Sequence, residues 1–182
     1  SQAMAIYWMD KLGVPRRSKS EAHTKTLRTD FSGSLMEKAY LIGFRLGDLH
    51  VYKIRPKSGQ TIRIVCASTK PAQIQLIRSL FEKYGYIRTT LKSDGITAIS
   101  CYVNMSFDFL LPKRDEIETW ILNDKDYSLA FLAGYIDAEG SFRLDANGSG
   151  NLKIESCDVT ILRQLHEALM RLSIHCPPPN MT

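Results

Sequence analysis

Leu132-Ala133-Gly134-Tyr135-Ile136-Asp137-Ala138-Glu139-Gly140 is the stretch that decides the fold. It closes an apolar helical run, residues 127–138, in which Ala130, Gly134 and Ala138 recur every fourth residue. That spacing puts one small side chain per turn on a single helix face. A glycine inside a helix costs about 1 kcal/mol relative to alanine. Close approach of a second helix backbone compensates, because small residues permit it. The same chain supplies a partner: residues 35–47 carry Ala39, Gly43 and Gly47 at the same spacing. A carboxylate follows the last small residue of each run, Asp48 in one and Glu139 in the other. If the small faces meet, these two acids converge at helix C-termini, where negative charge opposes the macrodipole. A divalent cation relieves that conflict. The carboxylates of Asp48 and Glu139, with the backbone carbonyls of Gly47 and Ala138, make a hard oxygen donor set suited to Mg²⁺. Such a pair facing a phosphodiester suits metal-assisted hydrolysis.

Outward from these helices the chain repeats itself. Residues 35–47 form a helix that Ser34 and Glu37 can close with a capping box. Strand-like runs follow at 49–55 and 61–67, then a helix from Pro71 to Tyr84 with Ile74, Ile77, Leu80 and Phe81 on one side. Strands at 86–91 and 96–104 come next, then a helical stretch, 107–121, interrupted at Pro112. The order begins again with a helix at 127–138, strands at 141–146 and 151–156, and a helix at 159–172 capped by Asp158. Gly47-Asp48 corresponds to Ala138-Glu139, and Arg63-Ile64 to Lys153-Ile154. The expected fold is α+β: an αββαββα unit at 34–124 with an antiparallel four-stranded sheet, then a partial αββα unit at 125–182. Projection of the first unit leaves the second without two strands and a helix. Exposed apolar surface is expected there, with dimerisation, strand exchange or low stability as its consequence. Residues 1–33 read as a basic arm behind a tag-like Ser1–Met4 scar. Part of that arm, Ile6 to Ser18, resembles the end of a helix-turn-helix domain and its basic tail.

The 132–140 stretch closely resembles the nine-residue motif of the LAGLIDADG homing endonucleases. Leu41-Ile42-Gly43-Phe44-Arg45-Leu46-Gly47-Asp48-Leu49 is similar to a second, degenerate copy, departing at Leu46 and Leu49. The resemblance covers about residues 35–176. It implies a double-motif endonuclease that hydrolyses double-stranded DNA at a specific site. The eighth motif position is the family's acidic metal ligand, which falls on Asp48 and Glu139. The resemblance also implies Mg²⁺, or Mn²⁺ or Ca²⁺ in its place, as the metal. It nominates Lys113, after Phe109-Leu110-Leu111-Pro112, to stabilise charge on the phosphate or order a water; an ordinary lysine at a helix start is the other reading. Thr69 and Asp158 fall near a position that orders solvent in the family.

Strand alternation shows which residues could meet nucleic acid. The polar faces offer Thr61, Arg63, Arg88, Thr90, Tyr102 and Asn104 in the first unit, and Arg143, Asn151 and Lys153 in the second. These side chains suit phosphates and base edges. In the strand at 49–55 the register stays open: either His50 and Tyr52, or Lys53 and Arg55, face the DNA. The chain has 182 residues, 44% hydrophobic and 24% charged, which excludes a disordered polymer. Its net charge of +5 permits a polyanionic partner. No apolar run is long enough to span a membrane, and, with no basic-then-apolar stretch at the start of the sequence, no secretory signal is expected. Cys66, Cys101, Cys157 and Cys176 are widely spaced, as expected in a reducing compartment, cytoplasm or organelle. The alternative on the same scaffold is a non-catalytic nucleic-acid binder, an intron RNA maturase or a regulator.

Overall fold

A computed structural model describes residues 2–15 and 27–180. Residues 16–26 of the basic arm lie outside the described residues. Helix α1 (Gln2–Lys11) begins within the tag-like segment, and Lys11 lies 4.9 Å over the Trp8 ring. From residue 28 the arm is built into the body. Thr29 donates from its backbone N–H to the Tyr84 carbonyl, and Phe31 N–H donates to Ser106 Oγ at 2.8 Å. The Phe31 ring packs against Tyr84, Phe107 and Phe109.

Helix α2 (Leu35–Gly47) starts with the expected capping box. Ser34 Oγ accepts from Glu37 N–H at 3.2 Å, and Glu37 Oε2 accepts from Ser34 N–H at 2.7 Å. Strands β1 (His50–Ile54), β2 (Thr61–Ser68), β3 (Tyr86–Leu91) and β4 (Thr97–Val103) form one antiparallel sheet in the order β1-β2-β4-β3. Helix α3 (Pro71–Phe81) packs on its inner face. Val51, Ile62, Ile64, Cys66, Ile99, Cys101 and Val103 point inward to meet Ile77 and Phe81 in the core.

The helix expected at 107–121 does not form. A 3-10 segment, Met105–Leu110, is followed by irregular chain and one helical turn, α4 (Thr119–Leu122). Pro112 has no N–H to donate and restricts Leu111 before it, so an α-helix cannot run through. Arg45, 7% exposed, uses this bend. Its Nε donates to the Leu110 carbonyl at 3.0 Å and its Nη1 to the Leu49 carbonyl at 2.5 Å. The end of α2, the entry to β1 and the approach to Lys113 are thereby tied to one side chain.

Helix α5 (Lys125–Glu139) is capped by Asp124, whose Oδ1 accepts from Asp126 and Tyr127 N–H. Strands β5 (Gly140–Leu144) and β6 (Gly150–Ile154) make a two-stranded sheet, and α6 (Val159–Arg171) follows. Cross-strand pairs set the repeat register. Tyr52 faces Arg63 in the first hairpin and Arg143 faces Asn151 in the second, so Arg63 corresponds to Asn151 rather than Lys153. That shift of two residues keeps the same face outward. The apolar face of β5–β6 is open to solvent: Phe142 and Leu144 are each 67% exposed and Leu152 is 48% exposed.

Candidate functional site

The two motif helices pack through their small faces. A Cβ on Gly43 would collide with the Phe131 carbonyl oxygen, and one on Gly134 with the Tyr40 carbonyl oxygen. Backbone thus lies against backbone, where no side chain fits. Farther down, a Cβ on Gly47 would strike the Ala138 methyl and come within 3.0 Å of Glu139 Cγ. Tyr40 Oη crosses from α2 to donate to Asp137 Oδ2 at 2.6 Å. Asp137 at the sixth motif position is therefore a strut between the helices.

This packing brings Asp48, just past the end of α2, beside Glu139, the last residue of α5. Glu139 is partly desolvated. Burial pushes its carboxyl above the usual glutamate range, and the negative charges of Asp48 and Asp158 push the same way, while the Lys113 ammonium opposes them. Lys113 is exposed on the loop after Pro112, within electrostatic reach of Glu139. Asp48 is held from a third helix: Gln73 Nε2 on α3 donates to Asp48 Oδ2 at 2.6 Å.

Asp158 precedes α6, yet its carboxylate makes no capping hydrogen bond; its backbone N–H donates to Ser156 Oγ at 3.1 Å. The capping role expected for it is absent, because its backbone (φ −83°, ψ 72°) lacks the extended geometry of the Ser34 and Asp124 caps. The charge acts instead on Glu139 and on the buried Tyr135. Burial raises the Tyr135 pKa most, the Ser156 hydroxyl opposes it, and the charges of Asp158 and Glu139 add to it.

The donors at this point are hard carboxylate oxygens at two helix ends, and their repulsion is what a divalent cation would remove. The donor set fits Mg²⁺ or Mn²⁺. Among the described residues no group of three or more His, Cys, Asp or Glu is gathered for a metal. Two carboxylates would leave the remaining positions to carbonyls, water and phosphate, as Mg²⁺ commonly accepts. Cys66 and Cys101 are buried thiols, pushed up to about 11 and about 12 chiefly by burial, and are not ligands in waiting.

On the open face of the larger sheet, Tyr52, Arg63, Tyr102 and Tyr86 form one row across all four strands. Arg63 sits between two rings, 5.8 Å from Tyr52 and 5.5 Å from Tyr102, and its guanidinium donates to Tyr52 Oη and Ser100 Oγ at 2.8 and 2.9 Å. Arg88 and Thr90 share this face. So do His50 and Thr61, the latter accepting from Arg28 Nη1. Lys53 pairs with buried Ile62 and lies on the opposite side, because only the His50/Tyr52 parity leaves Val51 in the core. Arg55 is past the strand, in the turn, at φ 53°. Asn104 has left β4 to cap the 3-10 segment and donates to Asp30 Oδ1 at 2.7 Å. In the second hairpin Arg143, Asn151 and Lys153 share one face, and Lys153 pairs with Glu155.

Sequence reasoning missed Gln73 and Arg45. A signal for Gln73 was present: it occupies the stripe Gln73, Ile77, Phe81, whose other members are core.

Residues 126–176 match a family model described as a LAGLIDADG-like domain. Among solved structures, the N-terminal LAGLIDADG domain of DUF199/WhiA is similar over 87% of this chain and 76% of that chain, with a TM-score of 0.50 and 18% identity. I-DmoI, solved in complex with DNA and Mn, is similar over 76% and 78% of the two chains, with a TM-score of 0.46 and 18% identity. The homing endonuclease I-WcaI, bound to its DNA recognition sequence, is similar over 89% and 75%, with a TM-score of 0.46 and 20% identity. A search of curated proteins gave no match.

Proposed function

The chain carries a LAGLIDADG-like domain on the LAGLIDADG fold, and from that premise we propose that it is a site-specific, divalent-metal-dependent endonuclease for double-stranded DNA. One observation carries the reading: the small faces of α2 and α5 pack backbone to backbone and set Asp48 beside Glu139. A shared pair of carboxylates at two helix ends is a costly arrangement without a cation.

Asp48 and Glu139 would hold the metal, with the carbonyls of Gly47 and Ala138 at the same helix ends. Bound there, Mg²⁺ or Mn²⁺ would supply charge neutralisation at the phosphate and a more acidic water. The protein's own residues do the rest. Lys113 offers a cation beside Glu139 to meet phosphate charge. Tyr52, Arg63, Arg88, Thr90 and Tyr102 present a polar and aromatic surface on a twisted antiparallel sheet, a shape that β-type readers lay in a major groove. Arg143, Asn151 and Lys153 extend the polar surface of the second unit.

The test is cleavage of a duplex site that the protein selects from a randomised plasmid library, with Mg²⁺ against chelator. Linear product in Mg²⁺ alone is expected. A second reading is a nucleic-acid binder that does not cut. It is favoured by the departures of the first motif copy at Leu46 and Leu49. Salt-sensitive DNA binding with no metal-dependent product would decide for it.

A further inference from the structure

Both repeats build the helix after their first hairpin in the same way. A serine hydroxyl accepts the N–H two residues on: Ser68 from Lys70 and Ser156 from Asp158. The donors, Lys70 and Asp158, are the N-caps of α3 and α6. Counting from the caps, the third helical position is Gln73 in α3 and Ile161 in α6. These two equivalent positions differ in the group they can offer. Gln73 gives an amide to Asp48 Oδ2 at 2.6 Å. Ile161 is fully buried and has nothing to donate.

We propose that Gln73 is a positioning residue that makes the two carboxylates of the site unequal as metal ligands, on the endonuclease reading above. The amide occupies one oxygen of Asp48, fixes the rotamer of a carboxylate that is otherwise exposed, and leaves the second oxygen free. Orientation of a ligating carboxylate by such an outer hydrogen bond typically changes metal affinity about 10–100-fold. Glu139 receives no amide of this kind from α6. The Asp48 half of the shared site is therefore the preorganised one, and its loss costs more metal affinity than the loss of Glu139.

The experiment is Mn²⁺ binding by the full chain, followed by the loss of the free-ion electron paramagnetic resonance signal, so that no DNA target is needed. The wild type is expected to take up Mn²⁺ at the shared site, with Asp48→Asn costing more affinity than Glu139→Gln. Gln73→Met keeps the bulk and removes the donor, and is expected to weaken uptake about 10–100-fold without lowering Tm. In an Asp48→Asn background, where the ligand that Gln73 orients is gone, Gln73→Met should change the residual uptake no further, an outcome that a merely structural role for Gln73 would not give. Wild-type uptake left unaltered by Gln73→Met overturns this inference alone. A wild type that binds no Mn²⁺ either alone or with duplex DNA present overturns the endonuclease reading and this inference with it.

Discussion

Glu139 holds its proton more firmly in the folded chain than in the unfolded one, through burial and the charges of Asp48 and Asp158. The sign of the linkage follows. Well below the usual glutamate range the side chain is protonated in both states and contributes nothing. As pH rises through the window above that range, the unfolded state loses the proton first and stability falls. Glu139→Gln should therefore raise Tm at neutral pH, and the gain should shrink as the medium is acidified toward pH ~4, the ordinary glutamate pKa. Thermal unfolding across that range checks it; a variant less stable at pH 7 would show the carboxylate to be favourably paired. Gln73 and Asp137 show what the sequence hid at this scale. The eighth-position acids were legible from their place after a small-residue stripe. The amide on Asp48 comes from a helix 25 residues away; a glutamine on an otherwise core stripe marks the residue, but the stripe does not name its partner. Arg63 was legible as an outward strand residue, but its clasp by Tyr52 and Ser100 needed the register of three strands. Arg63→Ala is expected to weaken DNA binding by about 1–3 kcal/mol and relax specificity at one position, measured by titration at fixed salt.

At the scale of elements, the α2–α5 contact can be judged by magnitude. Replacing an interior helical glycine by alanine should gain about 1 kcal/mol of propensity. At Gly43 and Gly134 the new methyl would press on the carbonyl oxygens of Phe131 and Tyr40, which belong to the opposing backbone and cannot rotate away. Overpacking of that kind costs about 1–3 kcal/mol, so the steric effect wins. Gly134→Ala and Gly43→Ala should each lower stability in denaturant titration, and a gain in either would mean that the helices stand farther apart. Element types were mostly readable because periodicity was strong: the small-residue stripe, the alternation in β2 and β4, and the capping box at Ser34. The region after β4 was not. Phe107, Phe109 and Leu110 suggested a helix, but Pro112 and the cap at Asn104 divide it into a 3-10 segment and a bend, which places Lys113 on a loop near Glu139.

At the scale of the whole molecule the two units differ in how well their sheets are covered. The four-stranded sheet closes over Ile77 and Phe81, whereas β5–β6 leaves Phe142, Leu144 and Leu152 exposed. An environment-sensitive apolar dye should therefore bind the native chain, and the double change Phe142→Ser, Leu144→Ser should remove most of that signal without lowering Tm. Dye binding unchanged by the pair would place the apolar surface elsewhere. The repeat was readable from the order of elements, while the two-residue difference in hairpin register emerged only from cross-strand pairing. The function argued for this molecule rests on both units contributing one acid each to a single cation-dependent site. Its most direct test compares wild type, Asp48→Asn and Glu139→Gln on the duplex site selected by the wild type, scoring binding and Mg²⁺-dependent cleavage side by side. Each variant is expected to keep DNA binding and lose cleavage; efficient cutting by either variant, or by wild type in chelator, would contradict a shared two-carboxylate site.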